Sequence, residues 1–309
     1  MTGGFKIDEE YTPAKLYELA KMDGAIVLSK DLKKILLANA QIVPSYKILT
    51  EETGTRHRTA ERTAKQTGEL VISISQRRNI ITVFKGDFRY TIEDTAKIIT
   101  RANQALQTLE NYKKVFDTKL GVLNEYEFND IVTLDNVITC LQRAEMVMKI
   151  SEEVNRAIYE LGVDGFLVKM QLEEIIEDLP KEELLIIKDY MSPAKRMVPE
   201  KILNLIRQNA KDGFIDSNTI ARLLGYEIFE NYEEIAVYPK GYRILNKIPR
   251  MPNAIVNNLV KTFKSFQHVL AADIQKLDEV EGIGEIRART IKQSLRRMQE
   301  QFMFDNLMV

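Results

Sequence analysis

Cysteine and histidine are scarce in this chain of 309 residues, which contains one cysteine and two histidines. The lone Cys140 excludes an intramolecular disulfide and is typical of a reducing compartment. Together with His57 and His268, it supplies too few ligands for a zinc site built from cysteine and histidine.

Long apolar runs are also missing. No stretch approaches the roughly 20 apolar residues that cross a bilayer, and the N-terminus has no signal-peptide pattern. We therefore expect a cytoplasmic protein with no membrane partner. Its length predicts two or three domains, each with its own core.

The chain has almost no net charge, −1 overall, so bulk electrostatics give no argument for nucleic-acid binding. The charge is nevertheless segregated. Residues 151–239 contain 18 Asp and Glu against 10 Lys and Arg, whereas residues 240–300 contain 12 Lys and Arg against 6 Asp and Glu. We expect the basic segment, and not the acidic one, to contact DNA.

Residues 53–62 have the composition of a phosphate site. Gly54 permits a tight turn, and Arg56, His57 and Arg58 place three potential cations in one loop. Arginine grips phosphate oxygens in a bidentate manner, so a polyphosphate is the natural ligand. The alternative is a solvated basic loop, which is the usual meaning of three charged residues in a row.

A helix is predicted to follow this loop. Thr59 is the expected N-cap, the helix runs to Gln66, and Gly68 is the expected C-terminal stop. A helix N-terminus at the end of the basic loop would favour a bound phosphate.

A second candidate is Asp23-Gly24-Ala25. It lies between a predicted helix over residues 11–21 and a predicted buried strand over residues 25–28. A carboxylate here can bind Mg²⁺ or Mn²⁺, and two small residues let a ligand approach the backbone. The alternative is an ordinary Asp-Gly turn. A metal-binding aspartate with a phosphate loop is the minimal set for nucleotidyl transfer.

At these residues the chain resembles the diadenylate cyclases, and over most of its length it is similar to the DNA-integrity-scanning members of that family. The family signatures are Asp-Gly-Ala, found as Asp23-Gly24-Ala25, and Arg-His-Arg, found as Arg56-His57-Arg58. Residues 16–22, 59–62 and 65–68 match the sequences that surround the signatures.

The resemblance implies an enzyme that condenses two ATP molecules into cyclic di-AMP and pyrophosphate, with Asp23 as the catalytic residue and the ligand of Mg²⁺ or Mn²⁺. It also implies a homo-octamer in which cyclase domains meet in pairs, and suppression of activity by branched DNA. The nucleotide-binding residues that it implies are Gly24, Ala25, Thr55, Arg56, His57, Arg58, Thr59, Ser75 and Arg78.

The chain departs from the family at its start. Members usually have several dozen further residues before the first signature, including a helix and a strand. Here Met1 lies close to that signature, which predicts either a shortened chain or a domain with a smaller sheet.

Three domains are predicted. Residues 1–90 alternate short strands and helices, including a partner strand over residues 35–40 and a hairpin formed by residues 70–75 and 80–84. This segment is predicted to form an α/β cyclase domain with a mixed sheet and flanking helices. Residues 91–239 have helical periodicity, from a helix start at residues 91–94 through segments 132–149, 152–161, 166–178 and 184–191, and form an all-helical linker. Residues 240–309 form a helix-hairpin-helix domain.

The helix-hairpin-helix prediction depends on residues 277–288, where two glycines interrupt a helical pattern before a basic helix. Residues 248–252 look like a degenerate copy in which prolines replace the glycines. An ordinary turn between two helices is the alternative. The predicted DNA contacts are Gly282, Ile283, Gly284, Arg287, Arg289 and Lys292.

Two other functions stay open at this point. One is a non-catalytic DNA-binding oligomer with a truncated nucleotide-binding domain. The other is a repair nuclease, which is disfavoured because no second cluster of acidic residues is present for a nuclease metal site.

Overall fold

The computed structural model describes residues 1–76, 80–227 and 231–305, and the chain divides into two compact units, Met1–Ile98 and Ile99–Val309. The first unit contains all the strands in the described residues. The second is helical. Each unit has the local structure that its sequence pattern favours.

The first unit begins with a three-stranded antiparallel sheet in the order β1-β3-β2, made of Phe5–Glu10, Lys34–Ala40 and Ala25–Leu28 respectively. Helix α1, Pro13–Leu19, connects β1 to β2. Its cap is the Thr12 side chain, which accepts a hydrogen bond from Lys15 N, and Pro13 occupies the first turn. The helix and the β2–β3 pair follow the sequence prediction. Strand β2 was predicted to be buried, but it is only half-buried.

A second antiparallel sheet has the order β4-β5-β6, with strands Leu70–Ser75, Ile80–Lys85 and Phe88–Ile92. The predicted hairpin is confirmed as β4 and β5. Strand β6 was not predicted, because its last two residues, Thr91 and Ile92, were assigned to the start of a helix. Helix α2, Thr55–Thr67, packs against this sheet through Ala60 and Ala64, which contact the buried ring of Phe84.

In β4 the large apolar side chains face outward and a polar side chain faces inward, which is the reverse of the usual arrangement in a strand. Ser73 is buried on the side of α2, whereas Leu70, Ile72 and Ile74 are more than half exposed on the other side. The small side chains of α2 leave room for a strand face that carries Val71 and Ser73. Periodicity identified the strand, and packing against α2 selected its inward face.

The helical unit starts within α3, Thr95–Asn129, and continues through α4, Leu134–Leu161. Helix α3 begins four residues after the predicted Thr91. The reason is that the capping side chain is Asp94 and not Thr91: the Asp94 carboxylate accepts a hydrogen bond from Ala96 N at 2.9 Å. Helix α4 is continuous where two helices were predicted, because buried Ser151 donates its hydroxyl to the Met148 carbonyl at 2.6 Å and stays satisfied inside the helix.

Four further helices complete the linker. They are α5, Phe166–Ile176; α6, Leu179–Tyr190; α7, Pro199–Asn209; and α8, Ser217–Leu224. Short 3₁₀ helices cover Gly162–Gly165 and Tyr232–Glu234. The predicted segments 166–178 and 184–191 fall on α5 and α6.

The chain then forms α9, Tyr242–Asn246; α10, Asn253–Phe263; α11, Phe266–Ala271; α12, Ile274–Asp278; and α13, Glu285–Asp305. These helices share one apolar core, which Phe128 of α3 joins by packing edge-on against Phe266, with ring centroids 5.2 Å apart. The prediction of an α/β first domain followed by a helical region is confirmed. Among the described residues, no helix is both long and apolar enough to span a membrane.

Candidate functional site

Asp23 and Arg56 meet in the first unit, although 33 positions separate them in the sequence. Arg56 Nη2 lies 2.8 Å from Asp23 Oδ1, and both side chains are largely exposed. Asp23 follows α1 and precedes β2, whereas Arg56 is in the first turn of α2. The fold therefore brings the two sequence motifs to one place, with the carboxylate and the guanidinium open to a ligand.

Gly24 fixes the position of the aspartate. Its φ is +95°, in the region that favours glycine. A Cβ at this position would lie 2.9 Å from the Asn39 carbonyl carbon and from Asn39 Oδ1. Because β3 passes this close, Gly24 lets the chain turn from Asp23 into Ala25, the first residue of β2.

The basic triplet lies within helix α2 and not in a loop before it. Gly54 is the N-cap with φ +93°, and Thr55 is the first helical residue. The predicted cap at Thr59 is wrong, since its hydroxyl donates to the Thr55 carbonyl at 2.8 Å inside the helix. Gly68, by contrast, is the left-handed C-terminal residue that the sequence predicted.

The N-terminus of α2 presents backbone donors beside these cations. The first intrahelical bond runs from Arg58 N to the Gly54 carbonyl at 3.1 Å, so the N–H groups of the preceding residues have no carbonyl acceptor inside the helix. No side chain caps them. The helix dipole and Arg56 both favour an anion at this end.

His57 points toward the second sheet. Its Nδ1 lies 3.3 Å from Ser73 Oγ, and its ring meets Phe84 edge-on with centroids 6.5 Å apart. Ser73 is buried, so it is well placed to fix the orientation of the imidazole. Sequence reasoning selected Ser75 instead. Residues two apart in a strand share a face, and only the packing of α2 distinguishes them.

The segment before α2 is held by α2 itself. Arg62 Nε donates to the Ile48 carbonyl at 2.8 Å, Lys65 Nζ donates to the Leu49 carbonyl at 3.3 Å, and Glu61 accepts from the Thr50 hydroxyl. Burial opposes ionisation of Glu61, but hydrogen bonds from Lys65 and Thr50 hold its pKa below the ordinary value. No site role was predicted for Glu61, Arg62 or Lys65. Two signals could have identified them: their polar character on a helix face, and their position in segments 59–62 and 65–68, which match the family.

Ser75 ends strand β4 and pairs with Ile80 of β5. Arg78, the other predicted phosphate ligand in this hairpin, lies outside the described residues. Thr55 and Ala25 occupy the first positions of α2 and β2. The predicted nucleotide-binding residues that the structure describes thus lie at the starts of α2 and β2, in the turn before β2, and at the end of β4.

The donor set at Asp23 suits one class of metal ion. In the part of the chain that is described, no group of three His, Cys, Asp or Glu side chains could hold a metal by itself. Asp23 offers a single exposed carboxylate. Mg²⁺ is commonly bound through one or two carboxylates together with phosphate oxygens of a substrate. The site therefore fits a Mg²⁺ or Mn²⁺ ion that is shared with a phosphate ligand.

The second predicted site is the turn between α12 and α13. Gly282 has φ +84°, and a Cβ there would lie 2.6 Å from Ile255 Cδ1 of α10. Ile283 is buried in the core of this region, and Gly284 has open space around it. Asn258 of α10 donates to the Glu281 carbonyl at 2.9 Å. The turn is thus anchored at its centre, and α10 supports it.

The cations predicted to bind DNA differ in their contacts. Lys292 is half-buried and donates to the carbonyls of Leu270 and Ala272 at 2.7 and 2.8 Å. Arg287 donates to the Gly282 carbonyl, and Arg289 pairs with Glu285 at 2.5 Å while staying exposed. Lys292 is therefore held by partly buried structural contacts, whereas Arg287 and Arg289 are both exposed.

Comparison with protein families gives two matches. The model described as "DisA bacterial checkpoint controller nucleotide-binding" matches residues 1–88. The model described as "DisA bacterial checkpoint controller linker region" matches residues 92–232. The first match includes Asp23 and Arg56, and the second covers α3 to α8.

Curated relatives match almost the whole chain. The DNA integrity scanning protein DisA of Carboxydothermus hydrogenoformans is 52% identical over 299 residues, which are 97% of this chain and 85% of that protein. Proteins of the same name from Clostridioides difficile and Acetivibrio thermocellus are each 51% identical, cover 98% of this chain, and are themselves covered over 85% and 84% of their lengths. The chain therefore belongs to the DisA family of DNA integrity scanning proteins.

Proposed function

We propose that this protein is a diadenylate cyclase that joins two ATP molecules into cyclic di-AMP and releases two molecules of pyrophosphate. The observation that carries the proposal is the 2.8 Å contact between Asp23 and Arg56, which brings a carboxylate suited to a metal ion beside a helix start suited to phosphate. The nucleotide-binding description of the matching family model supports it.

In each half-reaction, the 3′-oxygen of one ATP attacks the α-phosphorus of the other. The bond from that phosphorus to the bridging oxygen breaks, pyrophosphate leaves, and the hydroxyl proton is lost. Asp23 would hold a Mg²⁺ or Mn²⁺ ion and assist removal of this proton. The ion, when bound, neutralises triphosphate oxygens and lowers the cost of ionising the hydroxyl.

The phosphates would bind at the start of α2. Arg56 and the N–H groups of the first turn would face the departing pyrophosphate, and the contact with Ser73 would orient His57. Gly24 and Ala25 would line the nucleotide. Further contacts to the triphosphate would come from Thr55, Arg58, Thr59, Ser75 and Arg78.

Cyclisation requires two active sites that face each other, because each ATP is both nucleophile and electrophile. One chain contains one such set of motifs. A homo-oligomer is therefore required by the chemistry, and the resemblance to diadenylate cyclases suggests an octamer.

The direct test is to incubate the purified chain with ATP and Mg²⁺ or Mn²⁺ and to detect cyclic di-AMP by mass spectrometry. Asp23→Asn should abolish the product, because it removes the carboxylate charge. Asp87→Asn is the matched control, since Asp87 is an exposed aspartate in the β5–β6 turn of the same unit. A folded oligomer without product would overturn the proposal in favour of a non-catalytic DNA-binding oligomer.

We also propose that the C-terminal helices bind branched DNA and that this binding suppresses the cyclase. Residues 240–300 have a net charge of +6, from 12 basic and 6 acidic residues. The Gly282-Ile283-Gly284 turn and the N-terminus of α13 would contact a phosphate. The neighbouring cations, Arg287, Arg289 and Lys292, are on α13 itself.

Cyclase rates measured with and without a four-way DNA junction test this regulation. We expect a lower rate with the junction and a weaker effect of an unbranched duplex of equal length. Equal rates at saturating junction would contradict regulation and would leave the cyclase proposal intact.

A further inference from the structure

A cavity of about 430 Å³ lies in the helical unit, bounded by α3, α6 and α9. Its volume is in the range of small-ligand sites. The side chains of Phe116, Leu120, Leu179 and Leu185 form an apolar wall, and charged residues of all three helices form the remainder. This combination of one apolar wall and several polar groups is typical of a site for an amphiphilic small molecule.

Two residues that line this cavity, Arg243 and Glu182, each have one buried polar atom without a hydrogen-bond partner in the described chain. Arg243 is fully buried, and its two terminal nitrogens contact Asn124 and Glu127 at 2.5 Å, but within the described residues its Nε has no acceptor. Glu182 Oε2 lies 3.9 Å from Arg243 Nη1 and likewise has no hydrogen-bond donor there. An unsatisfied buried polar atom costs on the order of 1–3 kcal/mol, and both atoms are enclosed by protein. An occupant would recover that cost where these side chains turn toward it.

The lysines around the cavity fall into two groups. Lys113 is neutralised by Asp117, with the ammonium 2.5 Å from the carboxylate. Lys247 is half-buried, and across the described chain neither Lys247 nor Lys181 has a carboxylate within ion-pair distance. Burial and the neighbouring Arg243 charge lower the pKa of the Lys247 ammonium group. An anion placed between these two lysines would relieve that unfavourable environment.

We propose that this cavity binds a ribonucleoside monophosphate. Its phosphate would accept hydrogen bonds from Lys181 and Lys247, with the positive charge of Arg243 nearby. Its ribose hydroxyls would donate to Glu182 and Asp178, which is how acidic residues commonly recognise ribose. Its base would cover the apolar wall that includes Phe116.

The charge balance favours this class over a simple anion. The two unpaired lysines face two carboxylates, Asp178 and Glu182, so a bare phosphate would meet attraction and repulsion together. A nucleotide separates its phosphate from its hydroxyl donors and can satisfy both sets. The occupant would contact α3, α6 and α9 at once, and would thereby stabilise the junction between the linker and the C-terminal helices.

The site can be tested through the reactivity of Lys247 in the full chain. Lysines are methylated with formaldehyde and cyanoborohydride, and the rate at each lysine is followed by peptide mass spectrometry, with AMP, adenosine or inorganic phosphate as the probe. At an AMP concentration ten times its Kd, methylation of Lys247 should slow roughly tenfold. Exposed Lys264 is the internal control, and its rate should not change. Because the readout is specific to the cavity, AMP bound at the ATP site does not affect it.

Adenosine and phosphate should each protect Lys247 less than AMP does. Lys181→Gln should raise the AMP concentration for half protection roughly fivefold, as expected for loss of one partly solvated charge contact. Lys181 is exposed, so this variant should fold, and Lys264→Gln is the matched control. Absence of protection by AMP at millimolar concentration would overturn the proposal, as would phosphate protecting as well as AMP, which would indicate an anion site.

Discussion

At the scale of single residues, Gly24 and Gly54 offer a controlled comparison. Both precede a candidate ligand-binding residue, and their φ angles are nearly equal, +95° and +93°. Their surroundings differ: a Cβ on Gly24 would meet the Asn39 backbone at 2.9 Å, whereas one on Gly54 would have nothing within 4 Å. The pair therefore separates backbone strain from steric overlap.

We predict that Gly54→Ala lowers the free energy of unfolding by about 1–3 kcal/mol, because its φ of +93° and ψ of 142° lie in a region that is essentially restricted to glycine. Gly24→Ala should cost about 2–4 kcal/mol, because overlap with β3 adds to that strain. It should also displace Asp23 and reduce formation of cyclic di-AMP more than Gly54→Ala does. Urea denaturation and the cyclase assay give the two readouts. Equal losses of stability would contradict the role of Asn39.

A pH-dependent residue is found in the helical unit. Glu145 of α4 is buried beside Glu183 of α6, and Arg207 of α7 lies 2.8 Å from Glu183 and 3.8 Å from Glu145. Burial and the Glu183 charge raise the pKa of Glu145 from 4.5 to about 8, with Glu152 contributing in the same direction and Arg207 opposing it. One guanidinium between two buried carboxyls leaves one of them protonated.

The folded state holds a proton on Glu145 that the unfolded chain releases. The contribution of this proton to the free energy of unfolding is therefore complete below about pH 4.5 and is lost as the pH rises toward 8. We predict that Glu145→Gln flattens this dependence and makes the protein more stable than the wild type at pH 8, by on the order of 2–3 kcal/mol. Thermal or urea denaturation of the wild type and the variant between pH 5 and pH 8 measures how steeply the free energy of unfolding depends on pH. A variant with the wild-type slope would contradict it.

At the scale of secondary-structure elements, helix α9 is capped by a carboxylate from another helix. Asp189 near the end of α6 is fully buried and accepts hydrogen bonds from the N–H groups of Gly241, Tyr242 and Arg243 at 2.8, 2.6 and 2.9 Å. Burial raises the pKa of Asp189 to about 7 despite these donors. The interaction connects the linker to the first helix of the basic region.

We predict that Asp189→Ala lowers the free energy of unfolding by about 2–4 kcal/mol, since three backbone donors lose their acceptor. Asp189→Asn should cost less, because its oxygen can still accept from Gly241 and Tyr242 while its amide faces the Arg243 N–H. Chemical denaturation of both variants provides the ranking. If alanine were tolerated as well as asparagine, the capping role would be wrong.

At the scale of the whole molecule, the proposed chemistry depends on association. The described first unit contains one Asp23–Arg56 pair, and two such sites must act on two ATP molecules. Acidic and basic residues are also separated along the chain, with a net charge of −8 in residues 151–239 (10 basic, 18 acidic). Under the proposed function, assembly and the response to DNA would both require the full chain.

We predict that cyclase activity per chain falls on dilution at the concentration where light scattering shows the oligomer dissociating. The reason is that a monomer can bind ATP but has no second site to complete the ring. Mixing Asp23→Asn chains with wild-type chains should lower activity more than in proportion, since paired sites would be spoiled. Constant activity per chain in a monomeric sample would contradict the paired-site mechanism.

Local signals in the sequence determined much of the first unit. Thr12 and Pro13 specify the start of α1, Gly68 specifies the end of α2, and alternation specifies the β4–β5 hairpin. The two motifs also predicted which residues form the candidate site. Such features depend on a few neighbouring residues, so they can be read without knowing the fold.

Tertiary structure decided between alternatives that local sequence patterns cannot distinguish. A threonine inside a helix and a threonine at its cap look alike in sequence, so Thr59 was wrongly predicted to be the cap of α2, which is Gly54. The contact between His57 and Ser73 and the carbonyl partners of Lys292 depend on which faces pack together. The sequence by itself determined the motifs and most elements, because propensity and capping are local. Chain packing alone decided the inward face of β4, the Asp23–Arg56 contact and the cavity beside Arg243, because these join residues distant in sequence.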